Sequence, residues 1–68
     1  MKTVSEWFEQ AKKEGHPWVD AAIRNSNNLK GKNPDLATAL AAAFVWKNSP
    51  EKDDYWRSIY IELTKDAQ

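Results

Sequence analysis

Three proline junctions, His16-Pro17, Asn33-Pro34 and Ser49-Pro50, divide the chain at intervals of 17 and 16 residues. Proline fits the first turn of a helix, where its missing N–H is not needed, and it drives the preceding residue out of helical geometry into a cap. Each junction therefore reads as a helix start. Asn33 and Ser49 are strong N-cap types followed by acids, Asp35 and Glu51, where the helix dipole favours negative charge; His16 is a poorer cap. The segments between the prolines share no side-chain pattern, so the even spacing is not a repeat.

A fourth helix precedes these three. Thr3-x-x-Glu6 fits a capping box, Val4, Trp7, Phe8 and Ala11 fall on one face, and Gly15 offers a residue tolerant of positive φ at the C-terminus. After Pro17, Trp18, Val19, Ala22 and Ile23 form a second apolar face. It is expected to dissolve at 24–28, where Asn and Ser side chains compete for backbone hydrogen bonds. The third helix has Leu36, Leu40 and Phe44 on one stripe and Ala39, Ala42, Val45 and Trp46 on its other sides. A helix apolar nearly all round belongs at the centre of a bundle. The fourth carries Trp56, Ile59, Tyr60 and Leu63 on one face, with Ile61 roughly opposite. The expectation is an all-α, single-domain compact bundle over 1–68, with four short helices at about 3–14, 17–27, 34–47 and 50–65.

Composition narrows the function. Without cysteine there is no disulfide framework, no thiolate zinc site and no thiol nucleophile. Ten basic against ten acidic residues give no excess positive potential for nucleic acid. The longest apolar run, 39–46, falls short of the ~20 residues that cross a bilayer, and Met1-Lys2-Thr3 leads into a charged segment rather than a signal-peptide core. The expectation is a cytoplasmic protein with no membrane partner.

Catalytic candidates are few. His16, the sole imidazole, has Glu14 and Asp20 nearby in sequence but reads as a cap or turn residue. Asp53 and Asp54 diverge by about 100° on a helix, so they read as dipole-favouring charge and not as a metal pair. No catalytic set, metal site or cofactor is expected, and the protein reads as a non-enzyme. The 24–33 loop, with Arg24, Lys30 and Lys32, leaves residues 16–33 net +2 and ends at a helix N-terminus. It is a candidate anion site and the basis of an alternative reading, nucleotide or nucleic-acid binding. Residues 49–68 are net −2, and the opposed charge allows self-association, as in a self-assembling or virion component.

Four Trp, two Phe and two Tyr exceed what short helices can hide, so some rings should reach the surface as interface anchors. Trp46, Tyr55 and the off-face Ile61 are the candidate partner-binding residues. The segment Ala43-Phe44-Val45-Trp46-Lys47-Asn48-Ser49-Pro50-Glu51-Lys52-Asp53-Asp54-Tyr55-Trp56 resembles one in small uncharacterised proteins of tailed bacteriophages. Their pattern is Ala-Phe-x-Trp, two residues, Ser or Thr with Pro, an acidic stretch and an aromatic pair. Ala21-Ala22-Ile23-Arg24-Asn25 fits the same group, and the resemblance spans about half the chain. Lys52 stands where a glycine is common. The resemblance implies a small accessory protein made in an infected bacterium, binding another protein such as a host or defence component. The residues themselves suggest that the motif forms a helical-hairpin corner, with Ser49-Pro50 starting the last helix and Tyr55-Trp56 folding back over the junction.

Overall fold

The computed structural model describes residues 3–29, 31 and 33–65. It is an all-α bundle of four helices, α1 (Val4–Glu14), α2 (Val19–Leu29), α3 (Pro34–Asn48) and α4 (Asp54–Thr64). Local signals set three of the expected helix ends. The Thr3 hydroxyl accepts from the Glu6 N–H while the Glu6 carboxylate accepts from the Thr3 N–H, closing the capping box. Gly15 takes φ 76° at the end of α1. Its N–H and that of His16 return to carbonyls of the last turn, a Schellman closure. The Asn33 side chain accepts from the Leu36 N–H, with Pro34 in the first turn of α3.

The other two proline junctions behave differently. Trp18 has φ 69° and Lys52 has φ 50°, both in the left-handed region that non-glycine residues seldom enter. Each turn therefore carries the chain past its proline before helix begins. α2 starts at Val19 rather than 17, and α4 starts at Asp54 rather than 50. Ser49 is not the N-cap of the last helix: it closes α3, its N–H bonding the Val45 carbonyl, while Asp53 caps α4 by accepting from the Tyr55 N–H. Left-handed Lys52 occupies the position where the resembled segments carry glycine. Its ammonium folds back onto the Trp46 and Lys47 carbonyls and lies 5.3 Å from the Trp46 ring centre, while Tyr55 and Trp56 direct their polar atoms to the Trp7 and Pro17 carbonyls. α2 also continues through the Asn-rich segment to Leu29. Ser26 is buried there, and its hydroxyl meets that of Thr38 at 3.0 Å, an anchor to α3 that outweighs low local helix propensity.

The core comprises Trp7, Ala11, Val19, Ala22, Ala42, Val45, Trp56 and Ile59, with Phe8, Ile23, Trp46, Tyr55 and Leu63 against it. As expected, α3 is central, flanked by α2 and α4. It is not, however, buried on every side as its all-round apolarity suggests. Ala37, Thr38, Ala39, Ala41, Ala42 and Val45 are buried, whereas Leu36, Leu40 and Phe44 are 45, 45 and 55% exposed. Small side chains let neighbouring backbones approach closely on both sides of α3, and that close approach leaves no neighbour over the bulky stripe.

Candidate protein-binding face

The outward stripe of α3 is regular. Leu36, Leu40 and Phe44 stand four residues apart, so each lies one turn above the last with a drift of about 40°. Two depressions flank it along the seam with α2. Trp18, Ala21, Asn25, Phe44, Val45, Asn48 and Ser49 line one, of about 140 Å³, close to the size of an apolar cavity that accepts a single aromatic ring. Leu29, Leu36, Ala37 and Leu40 contribute to the other, toward the opposite end of the seam. Trp18 and Leu29 are about half exposed. For side chains of this size, these five residues expose on the order of 500 Å² of apolar surface, within the range of the largest apolar patch on a typical monomer.

The geometry of the two proline turns fixes Trp18 at the end of this face. His16, at the α1–α2 turn, points both ring nitrogens at carboxylates: Nδ1 is 2.7 Å from Asp53 Oδ2 and Nε2 is 2.8 Å from Glu14 Oε1. The Tyr55 ring stacks on the imidazole at 4.1 Å, and the Tyr55 hydroxyl donates to the Trp7 carbonyl. The Trp56 indole N–H donates to the Pro17 carbonyl, 3.0 Å away, and that of Trp18 to Glu51 Oε1 at 3.2 Å. Two turns distant in sequence are thereby clamped together. The left-handed backbone at Trp18 follows from this clamp, since an unconstrained tryptophan would avoid it. Trp18→Gly is accordingly expected to be more stable than Trp18→Ala by about 1 kcal/mol in urea unfolding, because only alanine retains the Cβ strain. Equal stability of the two variants would argue against the left-handed turn.

The clamp titrates. Burial pulls the His16 pKa down, but hydrogen bonds and charge from Asp53 and Glu14 outweigh it and leave the value above 6.5. Burial pushes Asp53 up, and the His16 hydrogen bond, the Tyr55 N–H and the His16 charge more than offset this, leaving it below 3.8. Burial, then the charges of Glu14 and Asp53, push the Tyr55 hydroxyl up to about 12. Only the imidazolium can donate to both carboxylates, so the stabilisation from His16 is complete below 6.5 and is lost as pH rises through its raised folded-state pKa. The Asp53 contribution has the opposite sense: it is present above 3.8 and lost as pH falls through its lowered folded-state value. Urea midpoints should be highest between these limits and fall on either side, with the alkaline fall reduced in Asp53→Asn. A midpoint unchanged from pH 5 to pH 9 would contradict the clamp. In the imidazolium form both nitrogens donate to these carboxylates, so His16 ties the two turns together.

The residues nominated from sequence are dispersed. Trp46 is half-buried against the core and lines a groove with Ala43, Lys47, Arg57 and Tyr60; its indole N–H has no hydrogen-bond partner among the described residues. Tyr55 is half-buried in the clamp. Ile61 is 49% exposed and, six residues on from Tyr55, points about 120° away from it around α4. The three form no single patch. Of the candidate anion site, Arg24 is exposed on α2, while Lys30 and Lys32 lie outside the described residues. Trp18, Leu29, Leu36, Leu40 and Phe44 form the face that sequence reasoning missed. One signal was available: the bulky residues of α3 share one stripe, and the other sides are mostly alanine.

The arrangement defines a small helical protein with a solvent-facing apolar seam. Compared with protein families, curated proteins and solved structures, the chain matches none. No described helix is long and apolar enough to cross a membrane.

Proposed function

We propose that this chain is a non-enzymatic accessory protein, of the phage type its 43–56 segment resembles, and that it acts by binding protein through the α2–α3 face. The observation that carries this reading is the half-exposed Leu36, Leu40 and Phe44 ridge with Trp18 and Leu29 at its ends. Keeping such side chains in water forgoes hydrophobic stabilisation that a 68-residue chain has little of. The employment of His16 and Asp53 in a structural clamp supports the non-enzymatic part. Among the described residues, nothing equally specific favours a nucleotide or nucleic acid at the 24–33 segment.

The test uses the intact chain as bait in bacterial lysate, infected and uninfected, beside Leu40→Glu and Phe44→Ser. Helical circular dichroism confirms that both variants fold. A protein retained by the parent and released by both variants, then confirmed with purified components, is the expected result. Retention identical across all three baits would remove the face from the account.

A further inference from the structure

We infer that the α2–α3 face is built to receive a second copy of this chain, paired antiparallel about a two-fold axis through Leu40. The inference rests on the reading of that face as a protein-docking surface and names its occupant. A ridge of residues spaced by four packs into the groove beside an equivalent ridge, the commonest way that helices meet. This face carries both parts, the Leu36, Leu40 and Phe44 ridge and the depressions flanking it. A two-fold through Leu40 brings residue 40 + n of one copy to the level of residue 40 − n of the other. Phe44 of each copy then lies at the level of the other's Leu36, beside the Leu29, Leu36 and Leu40 depression. Leu36 in turn lies beside the Trp18 and Phe44 depression. This mutual exchange is what an isologous interface requires.

Residues 36–46 contain no charged side chain, so the pairing buries none at its centre. The first charge beyond the ridge on this side is Lys47, seven residues from Leu40 and nearly in line with it. The two-fold carries Lys47 to the level of the other copy's Asn33, at the edge of the pairing, while Asp35 points about 140° away from Leu40 and stays outside it. Antiparallel helices also align their dipoles favourably. Size permits the pairing: a standard interface takes about 800 Å² per partner, roughly a sixth of the 4714 Å² surface, and the apolar patch supplies more than half of that.

Sedimentation equilibrium of the intact chain tests the proposal, together with the cysteine variants that a chain lacking native cysteine permits. The expected mass is twice 7.8 kDa at high micromolar concentration. Leu40→Glu, which sets two carboxylates on the axis, should weaken the dimer by about a hundredfold or more while leaving the helical signal intact. Leu40→Cys should oxidise to a disulfide-linked dimer at least tenfold faster than Ile61→Cys, whose exposure is similar but which lies off the face. A parent that stays monomeric at millimolar concentration, a dimer unaffected by Leu40→Glu, or equal oxidation at positions 40 and 61 would overturn the pairing. A monomer whose lysate partner is lost in Leu40→Glu would refute self-pairing and leave the docking face standing. A monomer with capture unaffected by Leu40→Glu would refute both.

Discussion

Replacing Ala42 with leucine should destabilise the protein far more than replacing Leu40 with serine, although the first change adds apolar bulk and the second removes it. Ala42 is 1% exposed and sits in the core with Val19, Ala22, Val45, Trp56 and Ile59. Three extra carbons there have no space to occupy while α2 and α4 both lie close against α3. Overpacking of this kind costs about 1–3 kcal/mol and at times more, a large share of the ~3–5 kcal/mol that a core of this size supplies. Leu40 is 45% exposed in the monomer, and a change at such a site usually shifts stability by about 0.5 kcal/mol or less. Urea unfolding in dilute solution, below the range in which copies associate, should show a collapsed midpoint for Ala42→Leu and a nearly parental one for Leu40→Ser. The reverse order would mean that α3 is rotated about its axis relative to this structure.

Trp56→Ala should leave the chain unfolded at room temperature. Trp56 is fully buried, touches both the helical core and the 15–18 turn, and donates its indole N–H to the Pro17 carbonyl. Removing a buried indole costs about 3–5 kcal/mol, comparable to the whole stability available to a domain of this size. Trp56→Phe keeps much of the apolar bulk but leaves the Pro17 carbonyl without its donor, so it should fold with a lowered midpoint. Cooperative thermal melting of Trp56→Ala near the parental temperature would show that the core is organised around other residues.

The contrast between these positions shows what the sequence could and could not reveal. Caps at Thr3, Gly15 and Asn33 are local: the side chain and the backbone groups it satisfies lie within a few residues, so helix number and most ends were legible. The starts of α2 and α4 were not. They depend on left-handed turns at Trp18 and Lys52, and the Trp18 turn is held by contacts spanning more than thirty residues, from His16 to Asp53 and from Trp18 to Glu51. The aromatic surplus correctly implied exposed rings, but Trp18, Phe44 and Tyr60 reach the surface while Tyr55 enters the clamp. Periodicity located the stripe of α3 without its direction, because a helix apolar on nearly every side gives hydrophobicity no single face to turn inward. Side-chain size decided the matter, with alanine permitting the close packing that leucine would obstruct.

Thiol labelling tests the central claim, that α3 buries its alanines and presents its leucines, most directly. Single cysteines at positions 40 and 42 can be compared in dilute, folded protein with a soluble disulfide reagent, using the unfolded chains as references. The thiol of Leu40→Cys should react within about tenfold of its unfolded rate, and that of Ala42→Cys should be slowed by several orders of magnitude, as expected where access requires opening of the core. Rapid reaction at 42 with protection at 40 would contradict the account.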